Sequence, residues 1–304
     1  AALAGRYGAA AFDDAARMFT EAKLDAVIIA SLEGVHLDHA RLAAEAGVPM
    51  LIEKPVAPDL AGIEAIAAAT SGVLVMAGHV ERFEIGSAQL KEAVAEGICG
   101  KVVTIAARRQ FVAAETPRFA GKSSTLRILG VHDFDLVSWV HPAPVVEVYA
   151  AAGHGRVHDE TGLDDHVVTT LRFADGAVGL VESAWTLPLP YGRFDRPEGW
   201  SPAGNNRLDG FGSSGFVSND MGLRNQQLVA FDETDGLRAA GIRHQPVLHG
   251  RVTGALAAEV DAFLAAVVDN SEPLVGLEDA RRAVALTAAA EASLASGRPV
   301  RLMG

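Results

Sequence analysis

The chain has 304 residues and a formal net charge of −12, set by 26 basic and 38 acidic side chains. Hydrophobic residues make up 49% and charged residues 21%, the composition of an ordinary globular protein, which excludes disordered, collagen-like and disulfide-scaffold chains. The acidic balance excludes a protein that wraps nucleic acid, since that task needs a basic stripe. Cys99 is the single cysteine, so no internal disulfide forms and a reducing, cytoplasmic location is expected. No apolar run approaches the roughly 18 residues that cross a bilayer. Residues 1–7 lack the charged head and apolar core of a signal peptide. A chain of this length is expected to divide into about two domains.

The opening stretch, residues 1–8, reads as the tail of a helix with Gly5 or Gly8 as C-cap candidates. A domain rarely starts inside a helix, so a preceding segment is expected. Residues 13–22 place Ala15, Met18 and Phe19 at helical spacing, and 25–30 form a continuous apolar, β-branched run typical of a strand buried on both faces. An Ala- and Leu-rich helix over 35–46 stops at Gly47, and 48–52 make a second buried strand. Pro58 sits near the start of a helix running to Ala69, where its missing N–H costs nothing, and 73–77 make a third strand. This β-α-β-α-β beat predicts a doubly wound parallel sheet, whose ligands sit beyond the carboxyl ends of the strands.

The second half has a different rhythm. A helix over 86–97 precedes a β-branched strand over 101–108, and residues 132–140 are helical. Strands are then predicted over 145–152, 166–173 and 177–185, the last two joined by a hairpin turn at residues 174–176. Further strands are expected near 215–219 and 228–232, and closing helices over 252–268 and 277–296. Strands in runs indicate an α+β domain with a mostly antiparallel sheet.

Three strand ends concentrate the polar chemistry: Ser31-Leu32-Glu33-Gly34-Val35-His36, Glu53-Lys54-Pro55, and Gly78-His79-Val80-Glu81-Arg82-Phe83. Each is unremarkable alone; a His on a helix is usually a surface or satisfied core residue. A fourth segment, Gly130-Val131-His132-Asp133-Phe134-Asp135, opens a helix and reads equally as acidic residues complementing the helix dipole or as a proton-transfer site. There Asp135 lies three residues after His132, on one helical face, where a carboxylate can orient an imidazole.

Taken in order, these motifs resemble the Gfo/Idh/MocA family of sugar and cyclitol oxidoreductases, as do the Asp175-Gly176 hairpin and the closing Gly297-Arg298-Pro299-Val300. The resemblance runs through essentially the whole chain. It implies an α/β fold: a truncated, Rossmann-like doubly wound sheet over 1–82, then an α+β substrate and oligomerisation domain over 83–304. It implies a hydride transfer between NAD or NADP and a secondary hydroxyl of a sugar, cyclitol or nucleotide sugar. Lys54 and His132, with Asp135, are the implied catalytic residues. Ser31, Leu32, His36, Glu53, Lys54 and His79 are the implied cofactor contacts. Arg82, Arg118 and His132 are implied at the substrate, although Arg118 reads equally as a solvated loop residue and Arg82 as a structural ion-pair partner. A homodimer or homotetramer built through the second-domain sheet is implied by analogy.

Two departures from the family stand out. The Gly-x-Gly-x-x-Gly strand-to-helix turn that cradles a pyrophosphate is not found in the first domain, and about fifty residues are expected to precede Ala1. The only such spacing, Gly210 to Gly215, lies between strand-like segments and reads as a turn or bulge. Ile128 stands where the family often has an Asp, four residues before His132. These departures keep open a catalytically silent sugar- or nucleotide-binding regulator, or an inactive fragment. His154, His158, Glu160 and Asp164 to His166 include metal-ligand types, but solvated loop residues are the expected reading and no metal is assigned.

Overall fold

Met50, Leu51 and Ile52 are almost wholly removed from water, which explains why the strand has no polar alternation: parallel strands are covered on both faces. The computed structural model, which describes residues 2–188, 204–221, 227–232, 236–242, 247–249 and 251–302, divides into two compact units. The first comprises residues 1–78 together with Asp261–Arg281. It contains α1 (Ala2–Tyr7), α2 (Ala15–Glu21), β1 (Val27–Ile29), α3 (His36–Glu45), β2 (Met50–Glu53), α4 (Leu60–Ala69) and β3 (Val75–Gly78). The strands form a parallel sheet in the order β1-β2-β3.

Local chemistry sets the helix ends. The Asp14 carboxylate accepts the Arg17 N–H at 2.8 Å to start α2. Asp59 accepts the Gly62 N–H at 2.8 Å to start α4. Each such cap contributes about 1 kcal/mol. The late segment completes the unit by backbone pairing: the Ala77 N–H on β3 donates to the Val275 carbonyl at 2.9 Å. Arg281 Nε also donates to Glu64 Oε1 on α4 at 2.7 Å.

The second unit, His79–Val260 with Arg282–Gly304, begins with α5 (Ile85–Ala95), β4 (Val102–Val112), α6 (Val131–Val140), β5 (Val145–Gly153), α7 (Arg156–Thr161), β6 (His166–Phe173) and β7 (Val178–Leu187). The chain continues through β8 (Asn205–Gly212), β9 (Phe216–Asp220), β10 (Gln227–Asp232), β11 (Gly236–Ile242), β12 (Val247–Leu248), β13 (Arg251–Val252), α8 (Ala255–Asp269), α9 (Leu277–Ser296) and β14 (Val300–Arg301). Seven strands form one sheet in the order β14-β5-β6-β7-β4-β8-β9. Every neighbouring pair is antiparallel except β4 with β7. The 210–215 glycine pattern is the β8–β9 hairpin, with Phe211 opposite Phe216.

One face of this sheet is the core. Ile105, Val148, Val167, Leu171, Val181 and Leu208 pack there against Phe134, Leu136 and Val137 of α6 and Leu286 of α9. Burial of each large side chain of this kind contributes roughly 1.5–3 kcal/mol. The opposite face is open: Tyr149, Val168, Val178, Phe211 and Phe216 share it by register and are 40–68% exposed.

Candidate active site

In the first unit the residues beyond the strand ends are organised by His36. Its buried ring places Nε2 3.1 Å from the Ser31 carbonyl and Nδ1 3.1 Å from the Val56 carbonyl. His36, expected at the cofactor, thus stands between the loop after β1 and the loop after β2, where a neutral imidazole donates to one of the two carbonyls at a time. Ser31 Oγ lies 3.0 Å from Nδ1 of His39, and Leu32 is exposed beside it. The Lys54 N–H donates to Glu53 Oε2 at 3.1 Å, and the Lys54–Pro55 peptide is cis. Gly78 has a specific reason to be glycine: a Cβ there would come within 3.0 Å of the Glu53 Cα and 3.1 Å of the Ile52 carbonyl.

Ser31 offers a hydroxyl, Lys54 an ammonium and Leu32 an apolar surface, all beyond the carboxyl edge of a parallel sheet, where nucleotides bind in such folds. These residues fit the ring and ribose portion of a dinucleotide. No Gly-x-Gly-x-x-Gly occurs among residues 1–78 to take up the pyrophosphate.

In the second unit the motif after β3 winds into a 3-10 turn, Val80–Phe83, that buries Glu81 and Arg82. Arg82 Nε donates to Asp135 Oδ2 at 2.8 Å, and its Nη2 donates to Oδ1. His79 is also buried, with Nδ1 3.9 Å from the same Asp135 carboxylate. The Arg82 guanidinium further stands 5.4 Å from the Trp139 ring centroid. Three residues of the sequence reading thus share one buried group: Asp135, expected beside His132, faces Arg82 and His79. Arg82, expected at the substrate or as an ion-pair partner, has its planar fork matched to that carboxylate. His79, expected at the cofactor, joins the same group.

A second ion cluster adjoins the first along α6, and sequence reasoning missed it. Arg109 on β4 donates from Nε and Nη2 to the two Asp133 oxygens at 3.0 Å each, and from Nη1 to Glu81 Oε1 at 2.8 Å. Burial, the largest influence on Arg109, works to lower its pKa, but the charges of Asp133 and Glu81 outweigh it and hold it raised. The cue available was a charged pair, Arg108-Arg109, inside a strand that carries no other charge. Its partners lie 24 and 28 residues away, beyond any local pattern.

His132 stands half-buried in the first turn of α6, the helix that carries both Asp133 and Asp135. It follows a π-helical segment, Leu126–Gly130, a geometry frequent at functional sites. Gly130 closes that segment because a Cβ would meet Leu126 Cδ2 at 3.0 Å and Ser183 Oγ at 3.2 Å. Arg127 anchors it to α9 through Glu291 at 2.9 Å. Ile128 turns its side chain onto the cluster of Leu129, Val157, Leu163 and Trp185. Arg118 is exposed and paired with Glu115 at 2.8 Å in its own turn, which agrees with the solvated-loop alternative.

Comparison with known proteins decides the family. The profile of an oxidoreductase family with an NAD-binding Rossmann fold matches residues 1–79, and that of the Gfo/Idh/MocA C-terminal domain matches residues 87–217. Inositol 2-dehydrogenase 2 of Paenarthrobacter aurescens is 30% identical over 292 residues, covering 91% of this chain and 81% of that protein. The chain belongs to the Gfo/Idh/MocA oxidoreductases. It is an NAD-binding dehydrogenase that acts on a CH–OH group. Myo-inositol 2-dehydrogenase of Thermotoga maritima is 27% identical over 298 residues, covering 96% of this chain and 84% of that one. A crystal structure of a myo-inositol dehydrogenase from Corynebacterium glutamicum superposes with a TM-score of 0.81 at 25% identity, over 100% of this chain and 87% of that one. Among the described residues no helix is long and apolar enough to cross a membrane.

Proposed function

We propose that this dehydrogenase oxidises a secondary ring hydroxyl of an inositol-class cyclitol. The observation that carries the reading is the 30% identity to an inositol 2-dehydrogenase over 91% of the chain. Bound nicotinamide supplies the hydride acceptor. Lys54 and His132 handle the hydroxyl proton: Lys54 from a backbone position held by the Glu53 carboxylate, and His132 from the first turn of α6. Ser31 and Leu32 contact the cofactor. The first unit serves the dinucleotide and the second the substrate and the subunit contact, the units running as 1–78 with 261–281 and 79–260 with 282–304 in place of the expected 1–82 and 83–304, and the protein works in the cytoplasm.

Ile128 favours a second reading, a silent sugar binder, because an isoleucine neither takes a proton nor hydrogen-bonds a hydroxyl. One experiment separates the two. Nicotinamide absorbance is followed with NAD+ and, in turn, myo-inositol, scyllo-inositol and glucose, while calorimetry measures binding of each. Reduction with an inositol supports the dehydrogenase; saturable binding with no reduction supports the silent relative.

The exposed Tyr149, Val168, Val178, Phe211 and Phe216 on the open sheet face support a homo-oligomer, since an apolar set shared by one face of a sheet is a common subunit contact. Tyr149→Glu combined with Val168→Glu is expected to yield a folded monomer by light scattering. An unchanged mass would remove that face as the contact.

A further inference from the structure

Away from the strand ends and α6, the connection between β5 and β6 gathers two imidazoles and a carboxylate. His154 and His158 stack with ring centroids 3.9 Å apart and planes 13° from parallel. His154 Nε2 also meets Asp164 Oδ1 at 2.9 Å. One ligand-type atom from each of His154, His158 and Asp164 falls within 4.8 Å of the others. A tetrahedral zinc site places its ligand atoms roughly 3.3 Å apart, given zinc–ligand bonds of about 2.0–2.1 Å. Imidazole lone pairs lie in the ring plane, so ligation of one ion by both histidines requires one ring to turn out of the stack.

Two independent observations show more than a chance cluster of polar residues. The first is rigidity. The Asp165 carboxylate accepts the N–H groups of Gly155 at 2.7 Å, Val157 at 2.9 Å and His158 at 2.8 Å, fixing the backbone that carries both imidazoles. The Asp164 carbonyl in turn accepts the Thr125 hydroxyl at 2.8 Å. The ligand-bearing loop is therefore held before any ion arrives. The second is His158 itself, whose Nδ1 is buried with no hydrogen-bond partner. A buried ring nitrogen without a partner is costly, and ligation is one way to supply it.

We propose that His154, His158 and Asp164 bind a divalent transition-metal ion of the zinc class, with water completing the coordination. Two neutral imidazoles and one carboxylate suit zinc far better than calcium or magnesium, which take oxygen ligands. Asp165 is the supporting residue, because it orients the segment without ligating. An ion here would cross-link the β5–β6 connection, joining His154 and Asp164 on either side of α7 to His158 within it, so its first consequence is stability rather than hydride transfer.

The test is calorimetric titration of ZnCl2 into the chelator-treated full chain, beside the His154→Ala/His158→Ala double variant and Asp164→Asn. The expected result is one zinc per native chain, bound at least about ten-fold more weakly by either variant. Because a substitution in α7 can unravel so short a helix, zinc-edge X-ray absorption on the native protein gives an independent reading, with two imidazole shells expected. Absence of stoichiometric binding, equal binding by the double variant, or a coordination shell without imidazole would each overturn the proposal.

Discussion

Arg109 and Asp133 meet through two hydrogen bonds of 3.0 Å, Nε to Oδ2 and Nη2 to Oδ1, with 5% and 0% of their side chains exposed. The pairing fixes α6 to β4, and α6 carries His132 in its first turn. Removing one partner strands the other as a buried charge, which costs about 3–5 kcal/mol. Asp133→Ala is therefore expected to lower unfolding free energy by that amount in urea titrations. A loss below about 1 kcal/mol would mean that Glu81 alone satisfies Arg109.

Lys54→Ala is expected to reduce kcat by about 10²–10⁴, the range for loss of a general acid or base. The fold is expected to persist, because the substitution keeps the Lys54 backbone N–H that donates to Glu53. Circular dichroism checks the fold and steady-state kinetics the rate. A rate within a few-fold of the native value excludes Lys54 from proton transfer.

Ile128 packs on Leu129, Val157, Leu163 and Trp185, so Ile128→Asp sets a carboxylate against apolar side chains. The expected loss is about 1–3 kcal/mol, measured by chemical denaturation. Ile128→Val, which trims one methylene, is expected to lose about 0.5–1.5 kcal/mol. If Ile128→Asp is as stable as the native chain, the carboxylate has found water or a donor, and the position belongs to the substrate site.

Asp165 gives stability a pH dependence. Burial, the largest influence, pushes its pKa up, but hydrogen bonds from the backbone N–H groups of His158, Val157 and Gly155 together outweigh it and hold the pKa below the ordinary 3.8. A carboxylate with a depressed folded-state pKa contributes fully above its unfolded value, and the contribution disappears as pH falls through its folded value. Asp165→Asn is thus expected to cost about 1 kcal/mol at neutral pH. The gap from the native chain should narrow once pH drops below 3.8. Thermal denaturation across pH checks this; a gap that widens in acid reverses the sign.

Strands β2 and β3 were legible because they are buried on both faces, so residues 48–52 and 73–77 read as apolar runs; β1, expected to be buried on both faces, leaves Ile28 48% exposed. Residues 166–173 were legible for the opposite reason: alternate side chains of β6 face the core and the open surface. Strand β8 was not legible. Its buried face carries Asn206, Leu208 and Gly210, two of them without an apolar side chain, so no alternation shows. The short α7 depends on a carboxylate outside it, at Asp165, and leaves no helical period. In the site, Glu53-Lys54 and His132 could be found from motif order. Asp135 with Arg82 and Arg109 with Asp133 could not, since spacings of 53 and 24 residues follow from tertiary packing alone.

The hydrogen bond from the Ala77 N–H to the Val275 carbonyl also bears on how the protein is made. During synthesis the three parallel strands leave the ribosome ahead of the second unit, yet the free edge of β3 meets its partner only after nearly 200 further residues have been translated, from Ala77 to Val275. Until then that edge is exposed to any other extended chain. A nascent chain halted anywhere between β9 and α8 therefore holds an unfinished first unit, and such stalled products should be captured by chaperones that bind extended segments more readily than chains carried past Arg281.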